Sequence, residues 1–131
     1  EFVKVYKVES GPKIPHILLD SEKGIFEIKG RSIPEDSAKL YKPMLAWMNM
    51  YAENPQNKTV VNIHLEYLNT SSSKHLLDFF KVLEVIHQGK VGKVEVNWIY
   101  EEMDLDMEEA GEDYQALIKI PINLQEIDSE E

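Results

Sequence analysis

This chain has 131 residues, of which 43% are hydrophobic and 29% are charged, and it contains no cysteine. The composition is too apolar for a disordered chain, and the length fits one domain spanning residues 1–131. Without cysteine there are no disulfide bonds and no thiolate metal sites, which fits a reducing cytoplasm. No apolar run approaches the roughly 18 to 20 residues of a membrane span.

The net charge of −10 is concentrated in the last quarter of the chain. Residues 1–100 have a balance of +1, whereas residues 101–131 hold 12 acidic side chains and one basic side chain. Such a surface repels nucleic-acid phosphates and anionic lipids, so we expect no binding to nucleic acid or membrane. We expect a protein partner with basic groups, unless the charges only solvate a helix and a flexible acidic tail at 126–131.

The residue pattern of the N-terminal half predicts three strands followed by a helix. Residues 1–7 alternate like a strand, and two further strands at 17–19 and 24–30 flank a polar turn, which indicates an antiparallel hairpin. A helix is predicted to open at Pro34 and to continue through Tyr51 to Asn54-Pro55. Pro43 lies inside this helix and is expected to kink or split it.

The C-terminal half continues with strands and helices in alternation. A strand is predicted at 60–68, a helix from Ser71 to His87, and a strand at 94–100. An acidic helix at 102–117 is expected to pack through Leu105, Ala110 or Leu117, and a last strand is predicted at 118–124.

This order predicts an α/β fold with a mixed sheet. Because the strands alternate between apolar and polar residues, the helices should lie mainly on one face of the sheet. The opposite face should then be half-exposed. The exposed face is expected to carry Asn62, His64, Glu66, Glu95 and Asn97. Trp47 and Trp98 fall on apolar stripes and are predicted to lie in the core.

The sequence contains no pattern that specifies an active site, and we predict neither catalytic residues nor a cofactor. His64 and Glu66 share a strand face and could bind a metal or transfer protons, but a third ligand is missing. The run from Asp104 to Glu108 begins like a calcium loop, yet Glu109 stands where the tight turn requires glycine. Glycine-rich phosphate loops and nucleophile elbows are absent. We therefore expect a protein that is not an enzyme and holds no metal.

The most informative segment is Leu68–Lys74, which passes from the central strand to the following helix through small polar residues. Asn69, Thr70 or Ser71 can each cap this helix with a side-chain oxygen. An exposed Thr70 could also carry a phosphate, because its negative charge would meet the positive end of the helix. Lys74, one turn along, is within reach of such a phosphate.

A strand that ends at a polar cap, whose first hydroxyl opens a helix, resembles the phosphorylatable corner of STAS domains, the anti-anti-sigma-factor fold. The chain resembles the SiaC family of bacterial regulatory phosphoproteins more closely, and this likeness covers nearly its whole length. The matching segments are residues 24–32 followed by Pro34-Glu35, then 65–74, and 87–89. The most specific part is the core Tyr67-Leu68-Asn69-Thr70-Ser71-Ser72.

This resemblance implies a STAS-like mixed sheet and a non-enzymatic partner switch. Members of the family are phosphorylated on the threonine of the core by a histidine-kinase-like Ser/Thr kinase and dephosphorylated by a PPM-type phosphatase. The unmodified form binds a target protein, which in one branch is a diguanylate cyclase that it activates. By this resemblance the phosphoacceptor is Thr70, and the partner-binding surface comprises Asn69, Ser71, Ser72 and Lys74.

Two other interpretations remain open from the residues alone. The chain could be a STAS-like module that binds a small ligand or serves as a scaffold, with Thr70 acting only as a helix cap. It could also be a metal-dependent enzyme that uses His64 and Glu66.

Overall fold

The computed structural model describes residues 2–128, which form one six-stranded sheet and three helices. The strands are β1 Val5–Val8, β2 His16–Asp20, β3 Ile25–Ser32, β4 Lys58–Leu68, β5 Lys93–Glu101 and β6 Ile122–Ile127. The helices are α1 Ser37–Tyr51, α2 Thr70–Gln88 and α3 Leu105–Leu117. None of these helices combines the length and the apolarity that a membrane crossing requires.

The strands lie side by side in chain order, and the sheet is mixed, as predicted. β1, β2 and β3 are joined as antiparallel hairpins, whereas β3, β4, β5 and β6 are parallel. Each parallel connection contains one helix that begins within a few residues of the preceding strand's end. All three helices therefore begin at the edge of the sheet where the parallel strands end.

The hydrophobic core lies between the three helices and one face of the sheet, as the alternating strand patterns predict. Trp47 of α1 packs edge-on against Phe26 of β3, and Phe80 of α2 packs against Trp98 of β5. Both tryptophans are buried, so their predicted place in the core is confirmed.

The opposite face of the sheet is polar and partly exposed, as predicted. Its side chains bond to one another across strands: Asn97 Nδ2 donates to Asn62 Oδ1 at 2.8 Å, and Gln125 Nε2 donates to Asn97 Oδ1 at 3.1 Å. Within residues 2–128 no helix covers this face.

Helix α1 begins later than predicted. Asp36, rather than Pro34, precedes the first turn, and its carboxylate accepts a hydrogen bond from Lys39 N at 3.2 Å. The helix runs without a break through Pro43, so the predicted possibility of a split is wrong.

Helix α3 packs against the core through Ala110, one of the three residues predicted, but not through Leu105 or Leu117. Leu105 and Leu117 are 71% and 62% exposed, and the buried residues are Met107, Gly111 and Tyr114. Gly111 lets the helix backbone approach β5, because a Cβ at that position would lie 2.6 Å from Trp98 Cδ1. Trp98 Nε1 donates to the Met107 carbonyl oxygen at 2.9 Å, which fixes this contact.

The last strand also lies further along the chain than predicted. Ile118 and Ile120 are buried, but they precede Pro121, and the ladder begins only at Ile122. The predicted tail at 126–131 is therefore wrong at its start, since β6 extends to Ile127. Residues 129–131 of that predicted tail lie outside the described residues.

We expect the Gly111→Ala substitution to destabilise the protein by about 1 to 3 kcal/mol, because the new methyl group would overlap Trp98 and Leu124. This overlap should outweigh the roughly 1 kcal/mol by which alanine favours a helix over glycine. Urea unfolding measures the difference, with Glu112→Ala on the exposed side of the same helix as the control. A variant as stable as the wild type would show that α3 can move away from β5 at little cost.

Candidate functional site

Asn69 fixes the corner where β4 ends and α2 begins. Its side-chain oxygen accepts a hydrogen bond from Ser72 N at 2.9 Å, which makes it the N-cap of the helix. Its backbone N–H donates to the Ser32 carbonyl oxygen at 3.0 Å, and its Nδ2 donates to the Pro34 carbonyl oxygen at 3.3 Å. Of the three caps that the sequence left open, the structure selects Asn69, so the interpretation of Thr70 as only a cap is wrong.

Ser72 lies beneath this corner and is fully buried. Its hydroxyl oxygen accepts a hydrogen bond from Ser32 Oγ at 2.9 Å, and Ser32 Oγ is 2.6 Å from the Tyr41 hydroxyl. Burial raises the pKa of Tyr41, although the hydrogen bonds with Ser32 and Ser72 act to lower it. The prediction that Ser72 belongs to an exposed surface is wrong, and its role is to join α2 to β3 and α1.

Thr70 is the first residue of α2, and its side chain is exposed. Its hydroxyl forms no hydrogen bond with any residue in the range 2–128. The neighbouring hydroxyls are all engaged: Ser71 Oγ donates to Asn69 Oδ1 at 3.3 Å, Ser73 Oγ donates to the Thr70 carbonyl oxygen at 2.8 Å, and Ser72 is buried. In the segment 70–73, Thr70 is thus the residue whose hydroxyl is both exposed and free.

Helix α3 holds the same turn of α2 from the other side. The Tyr114 hydroxyl donates to the Ser73 carbonyl oxygen at 2.8 Å. Burial, followed by the charges of Tyr41 and Asp113, raises the pKa of Tyr114, so its hydroxyl stays protonated and remains a donor at neutral pH. The sequence carries no signal for this contact, because it joins residues that are 41 positions apart.

An open groove of about 990 Å³ runs between α2 and α3 at the ends of β4 and β5. We call it the α2–α3 groove, and Thr70 and Lys74 lie at its α2 side. The apolar side chains that line it include Leu77, Met103, Ala110 and Leu117. Seven carboxylates also line it: Glu66, Glu101, Glu102, Asp104, Asp106, Glu109 and Asp113. The strand and helix patterns did not predict this groove, because its walls come from distant parts of the chain.

The residues considered for metal binding do not converge. His64 Nε2 lies 3.6 Å from a Glu101 carboxylate oxygen, whereas Glu66 pairs with Arg31 at 3.6 Å. Asp104 caps α3 by accepting a hydrogen bond from Met107 N at 3.1 Å. Throughout residues 2–128 there is no group of three or more histidine, cysteine, aspartate or glutamate side chains that could hold a metal ion.

Comparisons with known proteins agree with this architecture. The family model described as SiaC family regulatory phosphoprotein matches residues 8–127. A protein of Pseudomonas aeruginosa strain UCBPP-PA14 is 30% identical over 112 residues, which cover 85% of this chain and 87% of that protein.

Solved structures show the same likeness. The crystal structure of apo-SiaC from Pseudomonas aeruginosa has a TM-score of 0.83 and 25% identity, over 94% of this chain and 99% of that one. A chain in the crystal structure of the diguanylate cyclase SiaD in complex with its activator SiaC, from the same species, has a TM-score of 0.86 and 27% identity. That match covers 93% of this chain and 99% of the other.

We expect Asn69→Ala to cost about 1 to 2 kcal/mol of stability, because it removes the helix cap and the bond to Pro34. Thr70→Ala should change stability by less than about 0.5 kcal/mol, because the hydroxyl it removes has no partner among the described residues. Urea unfolding of the two variants beside the wild type measures both effects. Equal destabilisation by the two substitutions would contradict the assignment of the cap to Asn69.

Proposed function

This chain belongs to the SiaC family of regulatory phosphoproteins, and from that premise we propose that it is a non-enzymatic partner-switching signalling protein, reversibly phosphorylated on Thr70. The observation that carries this proposal is the Thr70 hydroxyl, which is exposed and free at the first position of a helix capped by its neighbour. We further propose that this corner corresponds to the phosphorylatable corner of STAS-like domains.

Thr70 suits this role because modifying it breaks nothing in the fold. A phosphate there would carry about −1.5 to −2 charges to the positive end of α2, within the first turn where the helix dipole favours anions. Lys74 is exposed one turn away, and it has no ion pair with the residues described, so its ammonium group is available to the phosphate. Phosphate on Ser72 would instead have to enter the core, and on Ser71 it would compete with the Asn69 cap.

The family and a solved complex of a relative support a proposal about the partners. In a crystal structure from Pseudomonas aeruginosa, the diguanylate cyclase SiaD is in complex with SiaC, which is the activator of SiaD. We propose that the unmodified form of this chain likewise binds and regulates a target protein, a diguanylate cyclase, through a surface that includes Asn69, Ser71 and Lys74. A histidine-kinase-like Ser/Thr kinase and a PPM-type phosphatase would add and remove the phosphate, in the cytoplasm, on a chain that works as one domain.

A phosphate can break such an interface although Lys74 lies nearby. An exposed ion pair contributes about 0 to 1 kcal/mol, whereas burying a charged group under a docked protein costs several kcal/mol. A coupling of about 3 kcal/mol between the phosphate and the target changes affinity roughly 150-fold. The balance therefore favours dissociation of the target when Thr70 is modified.

We expect the protein isolated from its native cells to carry a phosphate at Thr70 under some growth conditions. Intact-mass spectrometry followed by fragmentation locates the modified residue, and the Thr70→Ala variant serves as the control. If phosphate is found only on another residue, or is absent under all conditions tested, the assignment of Thr70 is wrong.

We expect Thr70→Glu to weaken binding to the target cyclase about tenfold or more, because a carboxylate supplies part of the charge of a phosphate. Thr70→Gln is the matched control, since it has nearly the same shape without the charge. Binding is measured by calorimetry with the cyclase that the unmodified protein captures from its own cells. Equal affinity of wild type, Glu and Gln variants would rule out a charge switch at this position.

A further inference from the structure

We propose that the α2–α3 groove is the docking site for a cationic amphipathic helix of the target protein, whose apolar side chains fill the groove while its lysines or arginines meet the acidic rim. This inference rests on the proposed function, because it specifies the chemistry of the target that the switch controls. The groove includes Thr70 and Lys74 of the site that the family resemblance singles out, and it adds residues of α3 and of the loop before it.

The groove presents apolar surface that the fold itself does not use. Met103 is 88% exposed, Leu117 is 62% exposed and Tyr67 is 55% exposed, and all three line the groove. Leu77 and Ala110 pack against the core from the same groove and form an apolar floor. Exposed apolar side chains clustered around a concave surface mark an interaction site more often than a solvated surface.

The backbone at Met103 is strained. Its φ is 71°, and no other non-glycine residue among residues 2–128 has a positive φ. A large side chain is strained in this conformation, and glycine or asparagine would relieve most of that strain. The fold thus keeps an exposed methionine at a strained turn on the rim, and methionine adapts readily to a partner's apolar side chains.

The charge of the groove decides what kind of segment fits. The groove has seven carboxylates against one ammonium group, that of Lys74. Glu66 is paired with Arg31 and Glu101 with His64, and Asp104 caps α3. Four others form no ion pair with residues 2–128: Glu102, Asp106, Glu109 and Asp113. Cations on a polypeptide, the lysine and arginine side chains, are the electrostatic complement of these four carboxylates.

The shape of the groove favours a helix as the occupant. Its long walls are two helices, and an amphipathic helix lies along such a groove with its apolar residues at spacings of three and four. Lysine and arginine suit the flanks of that helix, because their hydrocarbon stems cover apolar surface while their charged ends reach the carboxylates. Thr70 lies at one side of the same groove, so a phosphate there would stand at the edge of the docked helix.

The test uses a defined peptide, so that it does not depend on which target is found. The probe is a helical peptide of about 18 residues, or five turns, with leucines on one face and lysines beside them. A second peptide with glutamate in place of each lysine controls for apolar binding alone. Calorimetry gives the affinity for the full-length protein, and chemical-shift changes in its nitrogen–proton spectrum locate the contact.

Two pairs of variants on α3 separate the groove from the rest of the acidic surface. Glu109→Lys should weaken peptide binding about tenfold, whereas Glu112→Lys, the same change on an exposed residue that does not line the groove, should have less than about a threefold effect. Leu117→Ala should weaken binding about fivefold, whereas Leu105→Ala, also exposed but outside the groove, should not.

Every outcome is informative. Shift changes confined to the groove, together with the two expected contrasts, support the proposal. Equal effects of Glu109→Lys and Glu112→Lys, shifts spread over the acidic surface, or no binding of the lysine peptide would overturn it. The proposed function is tested separately by capture of a cyclase with unmodified protein. If a captured cyclase binds the Glu109→Lys variant and the wild type equally, the groove is not its docking site, and the proposed switch at Thr70 is unaffected.

Discussion

The hydrogen bonds of Asn69 are the constraint on which the site depends. One residue joins the end of β3, the loop before α1 and the first turn of α2, through its backbone N–H, its amide nitrogen and its amide oxygen. An orphan N–H at a helix start needs a partner, and Asn69 supplies it from outside the helix. The Thr70 side chain is therefore not needed as the helix cap, and its hydroxyl faces solvent.

The arrangement of the sheet places this corner where a partner can reach it. Parallel strands β3, β4 and β5 all end at one edge, and the three helices begin there. Two hydrogen bonds brace the first turn of α2 from below and beside it, a buried one from Ser32 and a partly buried one from Tyr114. The result is a rigid platform in which the exposed groups of one helical turn sit beside a groove between two helices.

The sequence predicted the fold well because its strands and helices have clear periods. The mixed sheet, the one-sided helices, the buried tryptophans and the start of α2 were all available from the pattern of apolar residues and from the polar segment at 69–73. Besides the later start of α1, two elements differ from the prediction. In α3 the leucines suggested a core face, but Gly111 and Trp98 set the orientation through close backbone contact. In β6 the apolar alternation continues through Pro121, although proline cannot donate to the ladder.

The site itself was predictable only in part. Hydroxyl residues at a helix start indicate a cap, but choosing among Asn69, Thr70 and Ser71 requires knowing which side chains point inward. Ser72 illustrates the limit, because its burial comes from Ser32 and Tyr41, which approach from separate elements. The groove between α2 and α3 has no local signature at all, although the excess of acidic residues after position 100 indicated a basic partner.

The freedom of the Thr70 hydroxyl has a consequence for how much of the protein a cell contains. A modification that breaks no hydrogen bond leaves the unfolding equilibrium nearly unchanged, and proteases in cells act mainly on the fraction of molecules that unfold. On the proposed switch, modified and unmodified molecules that carry no partner would be degraded at similar rates. The phosphorylated fraction of the protein would then be set by the balance of the modifying enzymes. Selective degradation of one form would not change it.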